Sequence, residues 1–298
     1  AGLGRHPVKR MKQLKTAGLA FLMISLSIIP AACGKASPAA QSPTAILATH
    51  TPAPTASATP APTCTETRGH FEFQEIQTSL MTHPLNFRVY LPPCYDANVD
   101  ERYPVLYLLH GQSFKDDQWD RLGADEALDA LIADGEARPF IIVMPKESNY
   151  MIDQWTSKYG PALAEELVPW IDAHYRTQAE RGKRAIGGLS RGAAWAMRTG
   201  LIYWDVFGAI GGHSLAPFRG DFNESPFWFQ KIPADQLPRI WIDVGSMDFI
   251  ADAAKVFAGR LEDYDIPFEW HVFDGAHVES YWSAHVKDYL RWYAQGWQ

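Results

Sequence analysis

Short apolar runs alternate with amphipathic segments over most of the chain. Tyr103–Leu109 and Phe140–Met144 are continuous apolar runs with the length of a buried strand. Tyr159–Tyr175 instead repeats apolar residues at helical spacing. Eight strands are predicted, in chain order His70–Gln77, Asn86–Leu91, Tyr103–Leu109, Phe140–Met144, Lys183–Gly187, Phe207–Gly211, Ile240–Val244 and Phe268–Phe273. Five helices are predicted at Ala124–Ala133, Tyr159–Tyr175, Arg191–Tyr203, Ile250–Tyr264 and His277–Tyr293.

The order of these elements predicts the fold class. Strands that alternate with helices form a mainly parallel sheet with helices on both faces. The first two strands are joined only by a short turn around His83-Pro84, which predicts an antiparallel edge at the N-terminal side. We therefore expect an α/β fold and a single folded domain over residues 64–298.

The first 33 residues have the pattern of an export signal. Residues 9–15 are basic, the 14 residues from Thr16 to Ile29 form an apolar run, and Pro30-Ala31-Ala32-Cys33 follows. The apolar run is too short to span a bilayer comfortably. Cys33 after two alanines resembles a bacterial lipoprotein processing site, where the cysteine is lipidated and becomes the new N-terminus. Plain secretion after a small-residue cleavage site is the alternative.

Residues 34–63 are predicted to be a disordered linker. Of these 30 residues, 24 are Ala, Thr, Pro or Ser, and such a composition cannot bury enough apolar surface to fold. Its six prolines favour an extended spacer. The expected location is therefore extracellular, with membrane contact only through a lipid anchor at Cys33, or fully secreted without the anchor.

Charge and composition exclude several classes of protein. The chain is 47% hydrophobic and 20% charged, as in ordinary globular proteins. Residues 1–63 hold six of the 27 Lys/Arg and none of the 34 Asp/Glu. The body of the chain, residues 64–298, therefore holds 21 basic and 34 acidic side chains. A body with a net charge of −13 repels phosphate backbones and argues against nucleic-acid binding. No metal and no organic cofactor are implied.

Two further cysteines lie in the body of the chain. Exported proteins meet oxidising conditions, and Cys64 and Cys94 make an even pair once Cys33 is set aside. We expect a disulfide between them that pins the N-terminal edge of the sheet. Two unpaired thiols are the alternative.

The chemistry begins with a Gly-x-Ser-x-Gly pattern. Gly188, Ser190 and Gly192 lie between a predicted strand and a predicted helix, which is the context that gives this motif meaning. The tight turn strains the serine backbone and projects its hydroxyl above the sheet, at the positive end of the following helix. Ser190 is therefore the candidate nucleophile.

Position selects a base and a carboxylate for this serine. His277 follows the last strand and Asp248 follows the strand Ile240–Val244, so both lie at the same edge of the sheet as Ser190. Asp243 and Asp252 are second choices for the carboxylate. The order Ser190, Asp248, His277 is the one that α/β-hydrolases use. A metal cluster of His271, His277 and His285 matches no usual zinc spacing, so His271 and His285 are expected to be structural.

An oxyanion needs two hydrogen-bond donors. One is the backbone N–H of Arg191, the residue after the candidate nucleophile, and the other is assigned to the N–H of Gln112 in the loop His110-Gly111-Gln112. A simple strand-end turn is the alternative for that loop.

Five segments carry a family resemblance that covers roughly residues 70–295. They are LYLLHGQSFKDDQW, ELVPWIDAHYRT, RAIGGLSRGAAWAMRTGL, DVGSMDF and FDGAHVESYW, and they resemble the esterase D family of α/β-hydrolases. That family includes feruloyl and acetylxylan esterases, S-formylglutathione hydrolases, enterochelin esterases and antigen 85 mycolyltransferases. The resemblance implies Ser190 as nucleophile, His277 as base and Asp248 as acid, with oxyanion donors at Gln112 and Arg191. The sequence departs from the common pattern at Arg191, where a small residue or Met is frequent.

Aromatic residues in predicted loops are candidates for substrate contact. Trp119, Trp155 and Trp228 are interpreted as parts of an aromatic platform for an aryl acyl group or a sugar, with hydrophobic filler as an equal alternative. His213 follows the strand Phe207–Gly211 and is a further candidate near the site, with a simple loop turn as the favoured alternative. The expected function is a secreted or lipid-anchored serine carboxylesterase acting on a small-molecule or polysaccharide-linked ester, first on feruloyl or acetyl esters of plant xylan. An acyltransferase of the same fold and a non-catalytic surface binding module are the competing hypotheses.

Overall fold

The computed structural model describes residues 64–298. The predicted signal peptide, the lipidation site at Cys33 and the linker 34–63 lie outside the described residues. No helix within 64–298 is both long enough and apolar enough to cross a membrane.

One sheet of eight strands organises this part of the chain. The strands are β1 His70–Ile76, β2 Leu85–Leu91, β3 Val105–Leu109, β4 Ile141–Pro145, β5 Arg184–Leu189, β6 Ala209–His213, β7 Arg239–Gly245 and β8 Glu269–Phe273. Their order across the sheet is β1-β2-β4-β3-β5-β6-β7-β8. Strands β3 to β8 are parallel, while β1 pairs antiparallel with β2 and β2 with β4. The predicted α/β fold with an antiparallel N-terminal edge is confirmed.

Helices connect the strands and cover both faces. They are α1 Gln118–Arg121, α2 Ala124–Ala133, α3 Tyr159–Ala162, α4 Val168–His174, α5 Arg191–Ile202, α6 Asp221–Phe229, α7 Ala251–Asp263 and α8 Glu279–Gln295. The single helix expected over Tyr159–Tyr175 is instead two helices joined by a π-turn at Leu163–Leu167. Pro169 has no N–H to continue the regular hydrogen-bond ladder, which accounts for the wider turn before it.

Tyr293 of α8 packs onto the sheet where two neighbouring strands have no side chain. A methyl group added at Gly187 of β5 would lie 1.9 Å from the Tyr293 hydroxyl oxygen, and one at Gly211 of β6 would lie 1.7 Å from it. The tyrosine is fully buried there. Paired glycines on adjacent strands therefore make the space that holds α8 close to the middle of the sheet.

The N-terminal edge carries a covalent link. The sulfur atoms of Cys64 and Cys94 are bonded at 2.08 Å, with the two Cα atoms 5.8 Å apart. The link spans the antiparallel pair β1–β2, because Cys64 precedes β1 and Cys94 follows β2. The fold therefore places the two cysteines together as the sequence predicts.

Candidate active site

Ser190 stands in a sharp turn between β5 and α5. Its backbone has φ of 54° and ψ of −118°, a conformation that costs free energy in a residue other than glycine. The neighbouring strand supports the turn, since the Ser190 N–H donates to the His213 carbonyl oxygen at 2.9 Å. A methyl group at Gly188 would lie 2.4 Å from the Gly192 carbonyl carbon. Both glycines are therefore required for the close approach of strand and helix that presents Ser190.

Ser190, His277 and Asp248 form a continuous hydrogen-bonded chain. His277 Nε2 lies 2.8 Å from Ser190 Oγ, and His277 Nδ1 lies 2.9 and 3.0 Å from the two carboxylate oxygens of Asp248. An ionised carboxylate can only accept hydrogen bonds, so Nδ1 carries the ring proton. Nε2 is then free to accept the hydroxyl proton of Ser190, as general base catalysis requires.

The surroundings of Asp248 keep it ionised. Burial by itself would raise the pKa of this carboxyl, but hydrogen bonds from His277, from the Ile250 N–H and from Ser214 hold it below its ordinary value. Trp282 in turn donates its indole N–H to Ser214 Oγ at 3.0 Å and packs edge-on to the His277 ring at 5.1 Å between centroids. A fixed negative charge thus faces the imidazole that gains a proton during reaction.

The two predicted oxyanion donors lie on segments that meet at Ser190. Gln112 follows β3 and Arg191 opens α5, and a methyl group at Gly111 would lie 3.7 Å from Ser190 Cβ. Within residues 64–298, neither the Gln112 N–H nor the Arg191 N–H has a hydrogen-bond partner. Free donors at this position are available to a developing oxyanion, where each contributes about 2.7–4 kcal/mol in known hydrolases.

The loop after β3 is held by a buried histidine. The Glu147 N–H donates to His110 Nε2 at 2.8 Å, so the ring proton is on Nδ1, which donates to the Gly111 carbonyl oxygen at 2.8 Å. Burial lowers the pKa of His110 and keeps the ring neutral. Gln118 Oε1 accepts the Gly111 N–H at 2.8 Å. His110 therefore fixes the loop that carries Gln112, a role beyond a simple strand-end turn.

Glu147 also holds the residue after the nucleophile. Its carboxylate accepts two hydrogen bonds of 2.7 Å from the Arg191 guanidinium and one of 3.0 Å from the Trp195 indole. The glutamate is 7% exposed, so this bidentate pair is shielded from water and strongly held. Glu147 thus connects the two segments that carry the oxyanion donors. It holds one segment through Arg191 and the other through His110. Its place two residues after the buried strand β4 is the only signal of this role in the sequence.

Two of the predicted substrate contacts are wrong. Trp119 is 1% exposed and donates its indole N–H to the Leu109 carbonyl oxygen at 2.9 Å. His213 is fully buried, with its Nδ1 2.7 Å from Asp243 and its ring stacked on Tyr289 of α8. Trp119 is buried on the inner side of α1, and Tyr289 of α8 packs against both side chains, so neither reaches a substrate. Asp243, the second choice for the triad carboxylate, serves His213 instead.

The other two tryptophans pack on Arg198. The guanidinium carbon lies 5.0 Å from the ring centroids of both Trp155 and Trp228. Arg198 is eight residues beyond Ser190 along α5, a distance of about 12 Å. Trp228 is 7% exposed and does not form an open platform, whereas Trp155 is 47% exposed and its contact with substrate stays a prediction.

His271 and His285 pack on aromatic side chains. His271 stacks on Trp241 at 3.7 Å between centroids, and His285 stacks on Phe273 at 4.4 Å. Across residues 64–298, His271, His277 and His285 do not converge on a metal site.

Comparison with known proteins identifies the family. The family model described as "Putative esterase" matches residues 78–293. The chain belongs to this esterase family. The match includes all three residues of the hydrogen-bonded chain, and the eight-stranded, mainly parallel sheet with its helices is an α/β-hydrolase fold.

Individual members of the esterase family give the degree of likeness. A curated endo-1,4-beta-xylanase/feruloyl esterase of Xylanibacter ruminicola is 40% identical over 124 residues, which cover 38% of this chain and 17% of that protein. An esterase of Mycobacterium tuberculosis is 28% identical over 259 residues, which cover 69% of this chain and 55% of that protein. The chain therefore spans only part of the length of these curated relatives. A solved ferulic acid esterase shares 25% identity and a TM-score of 0.68, covering 78% of this chain and 99% of that one.

Proposed function

We propose that the protein is a serine carboxylesterase that hydrolyses feruloyl or acetyl esters carried by plant polysaccharide. The observation that carries the proposal is the hydrogen-bonded chain from Ser190 Oγ through His277 to the buried, ionised Asp248. The free N–H groups of Gln112 and Arg191 supply the second requirement of ester hydrolysis. Similarity to feruloyl esterases supports ferulate as the acyl group.

The reaction has two halves. Ser190 Oγ attacks the ester carbonyl carbon while His277 Nε2 takes the hydroxyl proton, and the carbonyl oxygen becomes an oxyanion that the Gln112 and Arg191 N–H groups bind. The C–O bond to the alcohol breaks, and His277 returns the proton to the departing oxygen. Water then gives its proton to His277 and attacks the acyl-enzyme, which releases the acid and restores Ser190.

Ester turnover by the full chain tests the proposed reaction. We expect release of ferulic acid from methyl ferulate and of acetate from acetylated xylan, measured by chromatography of the free acids. A xylo-oligosaccharide added as acceptor separates hydrolysis from acyl transfer, since a transferase would build new ester on the acceptor. Absence of free acid from both substrates would contradict an esterase and would favour the non-catalytic surface module.

The proposed location is the outer surface of the cell, with a lipid on Cys33. The signal-like residues 1–33 and the Pro-rich stretch 34–63 support this proposal. In a bacterial host fed an alkyne fatty acid, the protein is expected to take up the label, and Cys33→Ala is expected to lose it. Cys64→Ser is the matched control that should keep the label. Unlabelled protein in the medium would show plain secretion instead.

A further inference from the structure

Phe249 is a large apolar side chain in an unusual position. It follows Asp248, is 80% exposed, and has its ring centroid 4.7 Å from that of His277. Burial of a phenyl ring is favourable, so the exposure of this ring has no benefit for folding. Trp282, the other aromatic neighbour of His277, is by contrast 3% exposed and hydrogen-bonded. Support of the imidazole therefore comes from Trp282, and the exposed ring is free for another contact.

Two further apolar residues next to the triad are also exposed. Met247 precedes Asp248 and is 73% exposed, and Val278 follows His277 and is 48% exposed. All three side chains belong to the two loops that hold the acid and the base of the triad. Exposed apolar residues grouped at a reactive centre are typical of a ligand contact. We call Met247, Phe249 and Val278 the histidine-side patch.

The chemistry of the step decides which part of an ester this patch meets. His277 Nε2 must come within about 2.6–3.2 Å of the departing alcohol oxygen in order to protonate it. The group bonded to that oxygen therefore lies beside the imidazole, within reach of the Phe249 ring. The acyl group is instead bonded to Ser190, with its carbonyl oxygen directed at the Gln112 and Arg191 donors, which follow β3 and β5. The patch thus faces the alcohol and not the acid.

The openness of the patch favours one class of alcohol. An alkyl chain is stabilised by an enclosed apolar cavity, whereas Phe249 and Met247 are largely open to water. A sugar ring has one apolar C–H face and keeps its hydroxyl groups in water, so it needs a single exposed aromatic face.

We propose that the histidine-side patch is the binding site for the alcohol moiety of the ester, and that this moiety is a sugar whose C–H face stacks on Phe249. The inference rests on the proposed esterase function and deepens it by placing the sugar of the ester on Phe249, beside His277. The sugar occupies the site only until the acyl-enzyme forms, because water replaces it in the second half of the reaction. Phe249 therefore affects acylation more than deacylation.

A pair of esters with one acyl group isolates this contact. Methyl ferulate and feruloylated arabinose differ only in the alcohol, so the ratio of their kcat/KM values reports the sugar contact. We expect Phe249→Ala to lower the kcat/KM for the sugar ester about tenfold relative to that for the methyl ester. Phe249→Trp should restore most of this ratio. Phe73→Ala is the matched control, because Phe73 is 67% exposed on β1 at the opposite edge of the sheet. That variant should leave the ratio unchanged.

The outcomes separate this inference from the proposed function. Equal losses on both esters in Phe249→Ala would overturn the sugar site and leave the ring as a support for His277. An unchanged ratio with full activity would also overturn it, while the esterase function stands. If the wild-type protein hydrolyses neither ester, the proposed esterase function itself is contradicted. A direct readout is the binding of feruloylated arabinose to Ser190→Ala, which should weaken about tenfold when Phe249→Ala is added.

Discussion

Replacing Ser190 with alanine is expected to lower kcat/KM about 10⁴- to 10⁶-fold for every ester that the protein hydrolyses. The hydroxyl is the only group in the hydrogen-bonded chain that can form the acyl-enzyme, and its loss leaves only the oxyanion donors and substrate binding to act on water. His277→Ala is expected to cost a similar factor. The double variant should be no worse than either single one, because the two residues act as a unit.

The measurement is steady-state hydrolysis of methyl ferulate and an acetate ester, with the thermal midpoint of each variant as a check on folding. Ser79→Ala is the control, since Ser79 is an exposed serine whose hydroxyl donates to Glu166 and to none of Ser190, Asp248 and His277. Losses in Ser190→Ala and His277→Ala that multiply in the double variant would contradict a shared mechanism. Retained turnover in Ser190→Ala would show that the nucleophile is elsewhere.

Asp243→Ala is expected to lower the free energy of unfolding by about 3–5 kcal/mol, the usual result of removing one partner from a buried ionic network. Asp243 is fully buried at the carboxyl end of β7. Its Oδ1 accepts hydrogen bonds from His213 at 2.7 Å and from the Trp241 indole at 2.8 Å. Its Oδ2 accepts hydrogen bonds from the hydroxyl groups of Tyr281 at 2.7 Å and Tyr289 at 2.9 Å. The substitution leaves these donors buried without an acceptor, which is costly.

The same network gives the stability a defined pH dependence. Burial would raise the pKa of Asp243, but His213, Tyr281 and Trp241 together hold it below its ordinary value. A depressed pKa in the folded state stabilises the protein above the pKa of the unfolded chain, about 3.9, and this contribution is lost as the pH falls through the lower, folded-state pKa. The wild-type protein should therefore lose more stability than Asp243→Asn does between pH 5 and pH 3.

Chemical denaturation of the full chain across this pH range measures both effects. Asp205→Ala, at an exposed position on the loop after α5, should change the free energy of unfolding by less than about 0.5 kcal/mol. A change of similar size in Asp243→Ala and Asp205→Ala would show that the network contributes no net stability. Because the His213 carbonyl oxygen holds the Ser190 N–H, we also expect a lower kcat in Asp243→Ala.

The parts of the site that local pattern could predict were those that depend on strand ends. Ser190, Asp248 and His277 each follow a predicted strand, and parallel strands bring their carboxyl ends to one edge. That reasoning needs no knowledge of which helix covers which face. It succeeded for the sheet and for the antiparallel edge, and the structure brings Ser190, His277 and Asp248 within hydrogen-bond distance at that edge.

The errors came where packing between distant elements decides the outcome. Trp119 and His213 also lie near strand ends, but the short α1 holds Trp119 and the aromatic side chains of α8 cover His213. The local sequence around Trp119 or His213 does not predict that these side chains are buried. The role of Glu147 depends likewise on Arg191, 44 residues further along the chain. Apolar periodicity predicts which face of a helix is buried, but it does not predict which polar groups of other elements contact that face.

Tyr293 and the glycines beneath it have a consequence for how this chain can vary. Gly187 and Gly211 lie on neighbouring strands, and the hydroxyl of one tyrosine fills the space that a side chain at either position would need. Alanine at either glycine is compatible with the fold only when position 293 holds a smaller residue, and a smaller residue there leaves a void unless a strand position fills it. The three positions therefore form one unit of covariation. Homologues should show either two glycines with a tyrosine or a larger strand residue with a shorter side chain on the last helix.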